Sequence, residues 1–202
     1  DRSYSRPGAA GEQMREAIND SWQRLLAPAI ERDIRSELSD SAHKQALQVF
    51  SKNLRSLLLQ APVKGKVMLG IDPAYRTGCK WAVIDPTGKV LEIGVFYPTP
   101  PRSDIAGTEK VLTRLVEQYN IDAIAIGNGT ASRETEQIVA SFIKKSGHSG
   151  LAYTIVSEAG ASVYSASELA AQEFPELDVA ERSAISIARR IQDPLAELVK
   201  IE

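Results

Sequence analysis

The period of the hydrophobic pattern changes at residues 61–66, and this change most limits what the chain can fold into. Before it, apolar residues recur every three or four positions, which is typical of α-helices. After it, short apolar runs alternate with helical stretches, which is typical of an α/β sheet. We therefore predict a disordered polar N-terminus over residues 1–8, a helical segment over residues 9–62 and an α/β domain over residues 67–202.

The helical segment is predicted to contain three helices. Met14, Ile18 and Trp22 fall on one face of the first helix. Pro28 suits the first turn of a second helix, where its missing N–H would have no partner in any case. The Ser-Asp-Ser run at residues 39–41 offers N-caps for a third helix. Because each helix alone buries little surface, we expect them to pack on each other and on something outside this segment.

The α/β domain is predicted to begin with an antiparallel meander of three strands, in which Asp85 to Gly88 form a type I turn. Two helix–strand units and two further helices follow. This order gives a mixed five-stranded sheet with helices on its faces. Ser103 is the expected N-cap of the first helix, and Thr130 or Ser132 that of the second. The predicted strands are 67–72, 79–85, 89–97, 122–127 and 151–158, and the last two helices are 161–173 and 179–191.

Composition excludes several classes of function. A formal net charge of −2 over 202 residues argues against strong binding of polyanions by the chain as a whole. Cys79 is the single cysteine, which rules out an internal disulfide bond and a cysteine-based zinc site and fits a reducing cytoplasm. No run of about 18 apolar residues is present, so no contact with a membrane is expected.

Asp72, Asn128 and Glu158 lie at or just after the ends of three predicted strands. These strands are parallel neighbours in the predicted sheet, so their ends should converge at one edge, where α/β proteins place their sites. Asp72 precedes a turn with Gly, Arg and Thr, which suits a Mg²⁺ ligand that also faces phosphate. Asp72 could instead begin a turn with its carboxylate on backbone N–H groups. Glu158 could equally be a solvated carboxylate beside a helix start.

The stretch GNGTASRET, residues 127–135, is the most distinctive part of the domain. Its glycines would let the backbone approach a ligand, and the helix start that follows can bind an anion. Arg133 adds a cation there. An ordinary strand–helix connection explains most of the same residues. The pairs Lys144-Lys145 and Arg189-Arg190 are predicted to be solvated faces and not nucleic-acid contacts.

Longer motifs resemble one known family. GIDPAYRTGCKWAVIDPTGKV, IAIGNGTASRETE, VSEAGASVYSASELAAQEFP and SIARRIQDPLAELVKI are similar to the YqgF-type, RNase H-like domain of Tex proteins. The preceding helical stretch is similar to the region before that domain. The resemblance implies a fragment of a bacterial, cytoplasmic transcription accessory protein. It also implies that helix-hairpin-helix and S1 domains lie elsewhere in the protein, that this fragment binds RNA or DNA weakly, and that the transcription machinery is a partner.

The resemblance also assigns positions for a site. RNase H-like nucleases carry carboxylates at the ends of the first and fourth strands and on the last helix, where two Mg²⁺ ions hold the scissile phosphate. By motif, Asp72 takes the first position, Asn128 the second, and Arg182 lies at or beside the third, with Glu158 as one further acid. Too few carboxylates remain for two divalent ions. The resemblance therefore implies a pseudo-nuclease that needs no cofactor and serves as a nucleic-acid-binding or scaffold module.

The alternative is a metal-dependent nuclease or resolvase of the RuvC/YqgF type. It would use Asp72, Glu158 and Glu181, with Mg²⁺ or Mn²⁺ on Asp72 and Glu158. Glu181 lies one residue from the expected acid position, about 100° around the helix. A third possibility is a purely structural role with a vestigial cleft. The nucleic-acid contacts expected of the non-catalytic domain are Arg76, Asn128, Thr130, Arg133 and Arg182.

Overall fold

The computed structural model describes residues 8–148 and 150–201, which form two units that divide between Ser56 and Leu57. The predicted disorder over residues 1–8 falls, apart from Gly8, outside the described residues. The predicted domain bounds, 9–62 and 67–202, stay predictions. No helix in the described ranges is long and apolar enough to cross a bilayer.

The first unit is one continuous helical segment. Helix α1 spans Ala9–Ser21, a π-helical stretch spans Trp22–Leu26, and α2 spans Ala27–Leu58. The widened turn is seen in the Ala27 N–H, which donates to the Trp22 carbonyl five residues back. Pro28 is the second residue of α2, and a proline inside a helix removes one hydrogen bond and crowds the carbonyl four residues before it. The expected interruption at Pro28 is therefore a change of helical register and not a loop.

Two predictions for this segment are wrong. Residues 39–41 lie in the middle of α2 and begin no third helix. Serine and aspartate cost only about 0.5–0.7 kcal/mol each inside a helix, and no glycine or proline stands nearby to end it. The helices also do not bury one another's apolar faces. Trp22, Leu38 and Phe50 are 52%, 66% and 63% exposed, and Gly11 is the one buried residue among the described residues of this unit.

The second unit contains a five-stranded mixed sheet with the order β3-β2-β1-β4-β5. Strand β2 runs antiparallel to β1 and β3, while β4 runs parallel to β1 and β5 parallel to β4. The predicted mixed five-stranded sheet with flanking helices is confirmed. The strands are β1 Met68–Asp72, β2 Cys79–Ile84, β3 Val90–Phe96, β4 Ala123–Gly127 and β5 Ala152–Val156. The meander turn is closed by the Gly88 N–H, which donates to the Asp85 carbonyl at 2.9 Å.

Six helices accompany the sheet in the described part of this unit. The predicted helix 161–173 is divided, because the Ser167 hydroxyl accepts from the Ala170 N–H and caps a separate short helix. Asp193 caps a final short helix that begins at Pro194, since its carboxylate accepts from the Ala196 N–H. The helices are α3 Ile105–Tyr119, α4 Ser132–Ser146, α5 Ala161–Ser165, α6 Glu168–Glu173, α7 Val179–Gln192 and α8 Pro194–Leu198.

The predicted caps of α3 and α4 are wrong. Asp104, not Ser103, caps α3, since its carboxylate accepts from the Gly107 N–H at 2.8 Å. A carboxylate also has the charge that a helix N-terminus favours. At α4 the N-cap is Ala131 in the left-handed region, and no side chain caps the helix. Neither Thr130 nor Ser132 therefore takes the expected role.

Alternation along β1 divides the core into two layers. Leu69 and Ile71 pack on one face with the apolar residues of α3 and α4. Met68 lies on the opposite face, which α7 covers. Asp72 follows the same alternation and ends β1 on the α7 face, because successive side chains of a strand point to opposite sides. The sheet thus delivers one carboxylate to the junction between its carboxyl edge and α7.

Candidate functional site

Asp72 and Glu158 come together at the carboxyl edge of the sheet, as the sequence predicts. Burial raises the pKa of Asp72 from 3.8 to about 6. The Ser183 hydroxyl acts in the opposite direction by hydrogen bonding to the carboxylate, while the negative charges of Glu158 and Asp178 raise the pKa further. The edge therefore holds a carboxyl group that is partly protonated near neutral pH and has a second acid beside it.

The carboxylate of Glu158 occupies a space that two glycines leave free. A Cβ atom at Gly127 or Gly129 would overlap this carboxylate. The Glu158 N–H donates to Oδ1 of Asn128 at 2.9 Å, which ties the end of β4 to the loop after β5. The glycines of the GNG stretch thus have a local reason, since the acid from the neighbouring strand lies against their backbone. Oε1 of Glu158 is buried and has no hydrogen-bond partner among the described residues.

Arg190 fixes the loop that carries Glu158. Its Nη1 donates to the carbonyls of Ser157 at 2.6 Å and Ala159 at 2.8 Å, the residues on either side of Glu158. Arg190 is only 4% exposed, and burial lowers the pKa of its guanidinium against the charges of Glu197 and Glu158. The expectation that Arg189-Arg190 form a solvated face is therefore wrong. The sequence does not show which face of the helix is buried at this position, so it does not show which of the two adjacent arginines points inward.

The structure does not bring Glu181 or Arg182 to Asp72. Glu181 forms a capping box at the start of α7, where its carboxylate accepts from the Asp178 N–H at 2.9 Å. Arg182 is 9% exposed, and its guanidinium donates to backbone carbonyls elsewhere, at 3.1 Å to Phe174 and 3.3 Å to Ser165. Ser183, which the sequence analysis did not single out, is the residue of α7 that faces Asp72.

Replacing Arg182 with methionine is expected to lower the free energy of unfolding by about 2 kcal/mol, since two hydrogen bonds from a buried cation are lost. Nucleic-acid affinity should not change. Urea denaturation followed by circular dichroism measures the first effect. Arg133→Met is the control, because that side chain is exposed and its loss should change stability by less than about 0.5 kcal/mol. A weaker affinity with unchanged stability would instead place the Arg182 guanidinium in the binding surface.

The remaining predicted residues lie at the same edge and are exposed. Arg76 is in the turn between β1 and β2, Thr130 lies in the loop after β4, and Arg133 is in the first turn of α4. Neither arginine forms an ion pair or a side-chain hydrogen bond with a described residue. Asn128 is exposed as well, although its side-chain oxygen is occupied by the Glu158 N–H. The edge can therefore offer free cations to an anion beside its two carboxylates.

The donor set is too small for a pair of metal ions. Among residues 8–148 and 150–201, no group of three or more His, Cys, Asp or Glu side chains could hold a metal ion. Two divalent ions need several carboxylates to balance their charge. Asp72 and Glu158 are two, and the neighbouring Arg190 already offsets part of the charge of Glu158. The residues present fit one divalent ion at most.

Comparisons with known proteins agree with the motifs. A family model described as the Tex protein YqgF-like domain matches residues 66–192. YdcI of Bacillus subtilis is 57% identical over 198 residues, which cover 98% of this chain and 27% of that protein. The transcriptional accessory protein Tex of Neisseria gonorrhoeae is 47% identical over 189 residues, which cover 94% of this chain and 24% of that protein. The chain thus spans about a quarter of the length of these relatives.

A solved structure of RuvC from T. thermophilus, in complex with a Holliday junction substrate, is also similar to this chain. The TM-score is 0.45 at 13% sequence identity, and the match covers 61% of this chain and 90% of that one. A likeness at this level concerns the fold alone.

Proposed function

Because the chain belongs to the Tex family and residues 66–192 are its YqgF-like domain, we propose that it is part of a transcription accessory protein whose RNase H-like domain is non-catalytic. The domain serves as a nucleic-acid-binding or scaffold module. A cytoplasmic location, and contacts with helix-hairpin-helix and S1 domains of the same protein and with the transcription machinery, belong to this proposal.

The proposal is supported chiefly by the residue that α7 places opposite Asp72. An RNase H-like nuclease with two metal ions needs an acid on the last helix. Here α7 presents the Ser183 hydroxyl to Asp72, while Glu181 is held in the capping box of the helix. To reach the site, Glu181 would have to give up its hydrogen bond with the Asp178 N–H and turn around the helix. Asp178, whose charge also acts on Asp72, is engaged as the N-cap of α7 and in an ion pair with Lys80 at 3.8 Å, so Asp72 and Glu158 have no free third carboxylate among the described residues.

Contact with nucleic acid is supported by the exposed residues around this pair. Arg76 and Arg133 supply cations, and the uncapped N-terminus of α4 supplies backbone N–H groups near Thr130. The net charge of −2 gives no long-range attraction for a polyanion. Binding by this chain should therefore be weak, and each phosphate contact that is made should weaken further as salt is added.

The alternative function is a metal-dependent nuclease of the RuvC/YqgF type. One observation favours it, since Oε1 of Glu158 is buried without a partner beside the carboxylate of Asp72. A single Mg²⁺ or Mn²⁺ would satisfy that oxygen and stabilise the charged form of Asp72. Such an ion would supply Lewis-acid chemistry at a phosphate.

A cleavage assay separates the two functions. The chain is incubated with a four-way DNA junction and with single-stranded RNA, each with Mg²⁺ or Mn²⁺. We expect no cleavage above the level of the Asp72→Asn variant, because no third carboxylate is free to join Asp72 and Glu158. Calorimetric titration of Mg²⁺ runs in parallel, with Asp40→Asn on the exposed surface of α2 as the matched charge control. Cleavage or saturable Mg²⁺ binding that is lost in Asp72→Asn and kept in Asp40→Asn would favour the nuclease.

A further inference from the structure

We propose that the carboxyl edge of the sheet carries a preformed binding surface for an unpaired strand of nucleic acid. The surface consists of Tyr75, Arg76, Tyr97, Arg102 and Arg133, and we call it the aromatic–basic edge. The proposal rests on the proposed function and adds to it the class of ligand and the surface that binds it, which contains one contact between a cation and an aromatic ring, Arg102 over Tyr97. Neither Tyr97 nor Arg102 belongs to a motif that suggests a site in the sequence.

Backbone and side-chain contacts hold three segments together in the aromatic–basic edge. The Tyr97 ring packs against Gly78, where a Cβ atom would lie 2.6 Å from the ring. The Thr99 hydroxyl donates to the Ala74 carbonyl at 3.1 Å, which ties the loop after β3 to the turn between β1 and β2. The Tyr75 hydroxyl donates to Glu134 at 2.9 Å, which ties the same turn to α4. Because these contacts lie within the chain and already join the three segments, binding needs little ordering of the chain.

The distribution of arginine contacts marks this edge within the second unit. Seven arginines lie between residues 57 and 201. Four of them donate to oxygen atoms of the protein: Arg114, Arg182, Arg189 and Arg190. The other three have no hydrogen bond or ion pair with any described residue, and all three lie in the aromatic–basic edge: Arg76, Arg102 and Arg133.

Two carboxylates that are close in sequence to these cations are already engaged. Glu134 accepts from the Tyr75 hydroxyl, and Asp104 accepts from the Gly107 N–H. Asp72 and Glu158 are directed toward α7 and the β4 glycines. A phosphate chain would be repelled by that acidic pair and attracted by the arginines, so its path should follow the turn between β1 and β2 and the loop after β3.

The geometry favours unpaired nucleotides over a duplex. The Arg102 guanidinium lies over the Tyr97 ring, with Cζ 3.9 Å from the ring centroid, and the outer side of Arg102 is exposed. Tyr75 is 37% exposed. Bases that are free of a helix stack on aromatic rings and guanidinium planes, whereas paired bases do not expose their faces. The Arg102 guanidinium and the Tyr75 ring are two such stacking surfaces, and the free arginines beside them can bind the phosphates of a single strand.

Fluorescence anisotropy with the full 202-residue chain tests the proposal. The probes are labelled dT12, U12 and a 12-base-pair duplex at low salt, and the two single strands distinguish DNA from RNA. We expect both single strands to bind at least about fivefold more tightly than the duplex, because stacking is lost in the duplex. Arg102→Ala should weaken single-strand binding about fivefold to tenfold and reduce the salt dependence by about one phosphate contact.

Tyr75 has a matched pair of variants. Tyr75→Leu removes the ring and should weaken binding about fivefold without changing the salt dependence. Tyr75→Phe keeps the ring, loses only the hydrogen bond to Glu134, and should bind as the unaltered chain does. Lys144→Ala is the charge control, since this exposed lysine lies near the other end of α4, roughly 16 Å from Arg133 at 1.5 Å per residue. Circular dichroism confirms that each variant is folded.

The outcomes separate this proposal from the proposed function. If the unaltered chain binds none of the three probes, nucleic-acid binding by the domain is refuted and the aromatic–basic edge with it. If the chain binds, but the duplex binds as well as the single strands, or if Arg102→Ala and Tyr75→Leu bind no more weakly than Lys144→Ala, the domain binds nucleic acid by another surface and this proposal alone is wrong.

Discussion

Replacing Gly70 with alanine is expected to lower the free energy of unfolding of the sheet unit by about 3 kcal/mol or more. A methyl group at Gly70 would overlap the Ala184 carbonyl oxygen and lie 2.8 Å from the Ala188 Cβ atom. Both atoms belong to α7, so neither can move aside as the end of a flexible side chain could. Added volume in a closely packed core typically costs about 1–3 kcal/mol, and contact with backbone places this site at the upper end.

The close approach of α7 depends on a row of small residues. Gly70 pairs with Ala82 on β2 and with Ala125 on β4, and Ala184 and Ala188 of α7 are fully buried in the same core. An enlarged residue in the middle of this row would push the helix away from the sheet. The same displacement would carry Ser183 away from Asp72, so the fold and the candidate site share this contact.

Urea denaturation followed by the fluorescence of Trp81, which is 4% exposed in β2, measures the effect. Gly150→Ala is the matched control, because a Cβ atom at Gly150 meets no atom within 4 Å and its backbone angle needs no glycine. The control should change stability by less than about 0.5 kcal/mol. Equal stabilities for the two variants would show that α7 can shift without cost, and the contact would not position Ser183.

The sheet could be predicted from the sequence because its strands are short apolar runs with clear turn residues between them. The change of hydrophobic period at residues 61–66 and the turn from Asp85 to Gly88 are visible in the local sequence. Such local patterns predict the order of strands in a sheet only because few chain topologies are compatible with them. The sequence analysis did not single out Gly70, although a glycine inside a strand often marks a close approach of another backbone. Which helix approaches could not be read from the strand.

Only those residues of the candidate site that follow strand ends could be predicted from the sequence. Asp72 and Glu158 follow strand ends, and parallel neighbours bring such ends together. The third position lies on a helix, where one residue changes the direction of a side chain by about 100°. Ala184 and Ala188 turn toward Gly70, and this contact, not the local sequence, directs Ser183 to Asp72 and Arg182 away from it.

Arg190 was missed for a related reason. Charged residues at the end of a helix are usually solvated, and the sequence does not show that the loop after β5 supplies two carbonyls at that point. The prediction of a third helix that begins at residues 39–41 failed for a different reason, since these residues resemble N-caps but lie inside the continuous helix Ala27–Leu58, with no glycine or proline beside them to end it.

Asp72→Asn is expected to stabilise the sheet unit by roughly 2–3 kcal/mol at pH 8 in a buffer that contains EDTA. Burial raises the pKa of Asp72 from 3.8 to about 6, and one pKa unit corresponds to about 1.4 kcal/mol. At pH 8 the folded chain must hold a desolvated negative charge beside Glu158 and Asp178. Asparagine keeps the shape and the hydrogen bond from Ser183 without that charge.

The sign follows from proton binding. Between pH 3.8 and 6, Asp72 is protonated in the folded chain and ionised in the unfolded chain. Compared with the ionised group, the protonated carboxyl therefore stabilises the folded chain, and this contribution is complete below pH 3.8. That contribution is lost as the pH rises through 6 and is absent above. The unaltered chain should therefore lose stability from this group between about pH 4 and pH 7, and the Asp72→Asn variant should not show that loss.

Urea denaturation of both chains at intervals from pH 4 to pH 8 measures the difference. Asp85→Asn is a control of opposite sign, because the Thr87 hydroxyl and backbone N–H groups hold the pKa of Asp85 below its usual value, so its contribution is lost as the pH falls. If Asp72→Asn is no more stable than the unaltered chain at pH 8, the carboxylate is better solvated than its burial implies. If Asp72→Asn is more stable, the unaltered chain keeps at Asp72 a negative charge that lowers its stability. A cation bound at this edge, or other parts of the protein packed against it, would then offset that cost.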